Sequence, residues 1–418
     1  MGSKERKKIN RGVFASKFVI QLLVIMFSVQ FVKGALIVTF LPLYLTNTLH
    51  ASTLVVGWTL AVQYIGDNLL RTPIGWFIDR VGYRYSMLIG VCSTLVAVII
   101  IAASSSFLWI VAACALLGIG TAPLWPCVIT GATEIAGDKD SGTVMSVVYI
   151  AWLSGVGLGP FAITFFLHDT ALAFRLMIGL IFLVVLVALF LPGKLKKGEA
   201  KAPGEPDRQH LPMGERIRRY FQEVKRAVTV SRLLYPAMFI QTFAVGLLTP
   251  VLTLYAKNEL MLSNSQFRAF LLVGGGVAVL LMVPVGRMVD RWGFRRFLIA
   301  GLMLTSAVLF LFTRVESLGL LYVLVGLLGL GFAFLIPSWN TLIAKAVPPE
   351  KRGAIWGFFL TIEGTGTTLG PILSGKISDD LGLHAPFTAS AAAFALLLVL
   401  QGFIRLDARG ARRQEQTG

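Results

Sequence analysis

The chain has 418 residues, of which 56% are hydrophobic and 14% charged, with a mean hydropathy of +0.77 and a formal net charge of +17. That balance excludes a soluble globule with a charged skin, and the long recurring apolar runs specify an integral membrane protein. The positive excess is confined to particular loops, so it calls for neither nucleic acid nor an acidic partner.

The first residues, "MGSKERKKINRGVFASK", are basic and polar, and the apolar run after them is too long for the core of a cleaved signal, so it is expected to stay as a spanning segment. Arg6 stands where lipidation at Gly2 would want Ser or Thr, which excludes that anchor. A spanning helix needs about 20 apolar residues. Segments of that kind are predicted at 18–45, 53–78, 86–106, 108–133, 141–166, 172–192, 232–258, 265–289, 296–314, 317–345, 352–376 and 384–406. They are predicted as helices because lipid cannot satisfy an open backbone and the alternation of a barrel strand is absent.

The first segment carries Gln30 and Lys33, and the second carries Gln63, Asp67 and Arg71 at four-residue spacing on one face. A charge inside a span is costly and by default functional. One reading makes Asp67 a structural partner of Arg71, one turn away. The favoured reading makes it a proton site whose affinity Lys33 sets, provided the first two helices abut. After the second segment comes "GWFIDRVGYRY". Cys92, Cys114 and Cys127 fall within the third and fourth segments and read as small core residues rather than a disulfide or metal site. The fourth carries Trp125, and the fifth carries Trp152 and "GVGLGP" with Gly155, Gly159 and Pro160. Small residues at that spacing permit close helix packing, and the proline bends the helix.

Residues 193–231 form a basic, Pro- and Gly-containing linker, with a short amphipathic helix expected in its second part. The seventh and eighth segments are apolar, and "GRMVDRWGFRR" follows them. Trp339 and Asn340 lie in the tenth segment, and Glu363 in the eleventh with "GTGTTLGP", which contains Gly366, Gly370 and Pro371. Arg175, Lys345 and Lys376 lie near helix ends, where long side chains reach the interface. Apart from Lys33, Arg71, Arg175, Lys257, Arg268, Arg314 and Lys376, the Lys and Arg residues fall on one side of the membrane. By the positive-inside rule both termini and the linker are cytoplasmic.

An offset of 211 residues relates Gly75 to Gly286, Gln30 to Gln241, Tyr44 to Tyr255, Gly118 to Gly329, Pro126 to Pro337 and Gly159–Pro160 to Gly370–Pro371. The fold class predicted is therefore an all-α membrane protein, with twelve transmembrane helices in two pseudo-symmetric six-helix bundles. Its parts are a cytoplasmic N-terminus at 1–17, bundles at 18–192 and 232–406, the linker between them, and a cytoplasmic tail at 407–418.

The pattern G-x-x-x-D-R-x-G-x-R after the second and eighth segments resembles the loop signature of the major facilitator superfamily, and the resemblance covers essentially the whole chain. It implies a transporter working by alternating access, with Gly75, Asp79, Arg80, Gly82, Arg84 and Gly286, Asp290, Arg291, Gly293, Arg295 as a conformational latch. Either aspartate can accept hydrogen bonds at a neighbouring helix N-terminus, and the leading glycine lets two helices approach. "GVGLGP" is similar to the antiporter motif of that family, with Ala162 and Ile163 where further glycines are usual.

Trp125, Trp152, Trp339 and Asn340, taken with Lys33, Asp67 and Glu363, resemble a carbohydrate lining in which indoles stack on sugar faces. Glu363 is offset-matched to Trp152, so the halves differ where a cavity would lie. "VQFVKG", "QYIGDN", "APLWP", "AWLSG" and "LIPSWNTLIAK" look like the lipoteichoic-acid glycolipid flippase branch of the superfamily. That resemblance implies proton-coupled movement of a diglucosyl-diacylglycerol anchor, with Asp67, Lys33 and Glu363 in proton coupling and Gln30, Trp125, Trp152, Trp339 and Asn340 at the substrate. Lys33 replaces an arginine of the branch, Gln30 a glutamate and Glu363 a glutamine.

A multidrug or sugar efflux proton antiporter would use the same motifs, and a membrane sensor or scaffold on this fold would need no titratable cavity. No H-E-x-x-H, C-x-x-C or G-x-x-x-x-G-K-[ST] pattern exists, so no enzyme, metal, cofactor or ATP site is expected. The expected partners are an amphipathic lipid-linked or lipophilic substrate, protons and membrane lipids, with a monomeric chain in the cell membrane.

Overall fold

The computed structural model describes residues 16–136, 141–192, 233–346 and 352–403. The linker, the tail and nearly all of the N-terminus lie outside them, as do the side chains of Arg71, Asp79 and Lys345. The described residues form α1 (Lys17–Thr48), α2 (Thr53–Val81), α3 (Tyr83–Ala103), α4 (Phe107–Thr121, continuing as Leu124–Ala136), α5 (Ser141–Ile163) and α6 (Thr170–Leu189). After the linker come α7 (Leu234–Glu259), α8 (Asn264–Trp292), α9 (Phe294–Phe312), α10 (Leu318–Ala346), α11 (Arg352–Leu381) and α12 (Ala385–Phe403). Among the described residues nine helices are long and apolar enough to span a membrane. The spans holding Asp67 and Glu363 are among the other three.

Helix ends follow local chemistry. Ser52 and Asp169 cap α2 and α6 by accepting from the backbone N–H of Val55 and Leu172, at 3.4 and 2.8 Å. The segments expected as loops after the second and eighth spans are almost wholly helical, broken only at Gly82 and Gly293, whose φ values are +93° and +89°. Only a residue without a Cβ reaches that conformation freely, so one glycine turns the chain between two long helices. At 29 residues and 1.5 Å per residue, α2 is about 43 Å long, beyond the roughly 30 Å of hydrocarbon. Its charged end therefore reaches the interface.

Two expectations need correction. A Cβ added at Gly286 would meet Pro337, at 3.9 Å, and nothing nearer among the described residues, so no described helix approaches it closely. Cys114 and Cys127 are buried as expected, whereas Cys92 is exposed.

By contacts the described chain divides into two compact units. The first comprises residues 1–195 with Gly246–Leu272 and Thr368–Pro386. In it α1 is the central helix, packed on α5 through glycines. A Cβ on Gly155 would lie 2.6 Å from the Phe27 carbonyl, and one on Gly159 would collide with the Phe31 carbonyl. Gly159→Val is accordingly expected to force α1 and α5 apart and remove folded protein from detergent extracts. Gly157→Val, at a position with nothing among the described residues within 4 Å, should extract and melt like the native chain, and size-exclusion profiles with thermal melts check the pair.

At the end of this unit where α1 reaches Thr48 and α2 begins, here called distal, segments from both sequence halves interlock. Asn47 and Asn258 exchange amide hydrogen bonds of 3.2 and 3.0 Å across the 211-residue offset. The Asp379 carboxylate accepts from the backbone N–H of Thr53 and Leu54, at 2.8 and 3.0 Å. That clasp has the chemistry expected of Asp79 or Asp290, an acid on the positive end of a helix. It lies at the opposite end of α2, and Asp290 is exposed.

The second unit comprises residues 196–245, 273–367 and 387–418. A Cβ on Gly366 would lie 2.6 Å from the Phe239 carbonyl, which binds α11 to α7. Ser306 and Ser390 donate to the Ala391 and Ala244 carbonyls, both at 2.8 Å, so α9 joins α12 and α12 joins α7 by polar contacts that need no water.

Candidate functional site

Within the first unit the charges expected at mid-membrane meet. Lys33 Nζ lies 3.0 Å from Asp67 Oδ2, and the two side chains are only 13% and 10% exposed. Lys33 also donates to Thr121 Oγ1 at 3.5 Å, and that hydroxyl is anchored on the Gly118 carbonyl at 3.2 Å. A glycine brings α4 and α2 this close: a Cβ on Gly118 would collide with the Gln63 carbonyl and lie 2.9 Å from the Asp67 nitrogen. Gly34, next to Lys33, approaches the Val156 carbonyl so closely that a Cβ would stand 2.8 Å away.

A buried ion pair is weak evidence for stability, since desolvation offsets much of its attraction. Inside a membrane span it is better explained by use. A proton arriving at Asp67 removes the negative member and frees the Lys33 ammonium, so the arrangement converts protonation into a change of local charge. Gln63, one turn from Asp67, is fully buried, and neither its Oε1 nor its Nε2 has a partner among the described residues. An amide left in that state costs about 1–3 kcal/mol. Gln30 is 7% exposed, one turn from Lys33 on α1.

Trp125 of α4 and Trp152 of α5 come together, with ring centroids 6.0 Å apart at 71°. Tyr149 completes a cluster of three edge-to-face rings, 5.0 Å from Trp125 and 6.4 Å from Trp152. Sequence reasoning missed Tyr149, although its i, i+3 spacing to Trp152 places both on one helix face. In the second unit Trp339 Nε1 donates to Glu363 Oε1 at 3.3 Å. The Trp339 indole is 5% exposed, so it orients the carboxylate rather than offering an open wall, while neighbouring Asn340 is exposed. A distal cavity of about 180 Å³ holds none of the expected site residues; Tyr44, His168, Lys257 and Asn264 are in its lining. Among the described residues no cluster of His, Cys, Asp and Glu could hold a metal ion.

The sequence pattern of the Major Facilitator Superfamily matches residues 22–236 and again 234–418. The chain is 25% identical over 408 residues to the proton-coupled antiporter flippase LtaA of Staphylococcus haemolyticus (strain JCSC1435), covering 96% of this chain and 97% of that protein. To the protein of the same name from Staphylococcus saprophyticus it is 26% identical over 406 residues, covering 94% and 96%. Among solved structures, the nucleoside transporter NupG superposes with a TM-score of 0.73 at 15% identity, covering 93% of this chain and 98% of that one. The human organic anion transporter MFSD10 (TETRAN) superposes with a TM-score of 0.61 at 17% identity, covering 92% and 98%. At such identities the structural likeness speaks to fold alone.

Proposed function

The chain belongs to the major facilitator superfamily and is a multi-pass membrane transporter rather than an enzyme, and from that premise we propose that it is a proton-coupled antiporter that flips or exports an amphipathic glycolipid. The substrate class is a diglucosyl-diacylglycerol anchor of the lipoteichoic-acid type. The observation that carries this reading is the buried Lys33–Asp67 pair, an ionisable site in the membrane interior. The relatives named as proton-coupled antiporter flippases, matched along nearly their whole length, support it.

Asp67 takes up and releases the proton, Lys33 answers its charge, and Glu363 is a second proton or hydroxyl site. Trp125 and Trp152, with Tyr149 beside them, stack on the sugars, Gln30 and Asn340 complete the polar lining, and Trp339 serves the substrate through the Glu363 carboxylate that it orients. The two bundles, 18–192 and 232–406, rock about the substrate. The Asp-Arg-Gly-Arg segments that close α2 and α8 and open α3 and α9 act as the latch. The chain works as a monomer in the cell membrane with both termini cytoplasmic, an orientation that the distribution of Lys and Arg supports.

The test is transbilayer movement of a fluorescent diglucosyl-diacylglycerol in proteoliposomes of the native chain under an imposed pH gradient. Movement that follows the gradient is expected. A folded native chain that leaves the lipid in place while moving lipophilic cations or free sugars would establish efflux antiport instead.

A further inference from the structure

Helix α7 is interrupted at Thr249–Pro250: a regular segment ends at Leu248 and another runs over Val251–Leu254. Pro250 has no N–H to continue the ladder, and the Thr249 N–H turns to the Gly246 carbonyl at 3.2 Å. Beyond the break α7 is bound to α1, because the Thr253 hydroxyl donates to the Val38 carbonyl at 2.8 Å. Val38 lies in a π-turn of α1, Ala35–Phe40. Irregular turns of this kind inside spanning helices mark working sites.

A single side chain joins that break to the proton site. The half-buried Tyr64, on α2 three residues before Asp67, hydrogen-bonds through its hydroxyl to the Thr249 side chain, and it lies within electrostatic reach of the Asp67 carboxylate. We propose that Tyr64 is a positioning residue that transmits the charge state of Asp67 to the α7 break, so that protonation of Asp67 loosens the distal closure. This rests on the proton-coupled reading given above. Lys33 of α1 is a charged group facing Asp67, and α4 contributes the neutral Thr121 beside it. When the carboxylate is neutralised the Lys33–Asp67 pair dissolves. The field on the tyrosine hydroxyl then changes, and with it the hold on Thr249.

The experiment uses the full chain with Cys92, Cys114 and Cys127 replaced by Ala and spin labels at His50→Cys and Met261→Cys. These are exposed distal positions related by the repeat offset. Pulsed dipolar distances are read against pH. The expected result is a native distance distribution that lengthens as pH falls and a response lost in Tyr64→Phe and in Thr249→Val, both with native-like melts. The response should also be lost in Asp67→Asn; if it persists there, it arises from a group other than Asp67 and the inference is overturned. A native response that survives in both Tyr64→Phe and Thr249→Val overturns the inference alone. Native distances indifferent to pH overturn it together with the proton-coupled reading.

Discussion

Asp67→Asn is expected to leave a folded chain in which movement of the glycolipid no longer follows the pH gradient and falls to the rate of protein-free vesicles. Asparagine has the shape of the native side chain and can still accept from Lys33 Nζ at the observed 3.0 Å, so packing of α1 on α2 survives. It cannot exchange a proton, so the charge step disappears. Without that step one member of the alternating cycle has no energetic link to the gradient, and a ligand with equal affinity for both states shifts nothing. The measurement is gradient-driven movement alongside thermal melts of the same preparation. Gradient-following movement in a folded Asp67→Asn chain would reassign the proton to another group, with Glu363 the first candidate.

Lys33→Met should have the largest effect on stability. It strips a counter-ion 3.0 Å away from a carboxylate that is 10% exposed, and breaking a buried pair from one side costs about 3–5 kcal/mol. Methionine keeps much of the lysine stem volume, so the loss is electrostatic rather than a cavity. The double variant Lys33→Met/Asp67→Asn removes both charges and should recover most of the melting temperature while remaining inactive. A double-mutant cycle isolates the pair from its surroundings. Single and double variants that melt alike would mean that the pair makes no difference to stability and that Asp67 is solvated from a wet cavity.

The sequence carried the site unevenly, for reasons tied to particular residues. Asp67 and Lys33 were legible because a charge in an apolar run is expensive, and expense marks purpose. Their partnership was legible only as a condition, since Arg71 stands one turn away on the same helix and satisfies the same spacing. Beside the pair, the bare Gly118 lets α4 meet α2 and the bare Gly34 lets α1 meet α5 at backbone contact. A glycine in a sequence does not say which neighbour it admits. Trp125 and Trp152 were singled out one by one, but their meeting with Tyr149 in one edge-to-face cluster depends on how α4 turns against α5.

The latch illustrates the same limit. An aspartate on a neighbouring helix N-terminus was expected from the Asp79 and Asp290 motifs, and among the described residues Asp379, at the distal end of α11, makes such a contact. The offset of 211 residues was plain in the glycines and prolines, yet nothing in the letters says that Asn47 and its repeat mate Asn258 exchange hydrogen bonds. Likewise the Tyr64 hydroxyl reaches Thr249 only because α7 breaks at Pro250 beside α2.

By itself, then, the sequence determined the solvent, the helices, the repeat and the buried charges, because each follows from local composition: apolar length, glycine and proline placement, and the cost of a charge in lipid. Tertiary structure alone decided which charges pair, which rings meet and which end of the first unit is clasped. Those outcomes depend on distances between helices, and such distances are set jointly by small residues on two partners far apart in the chain.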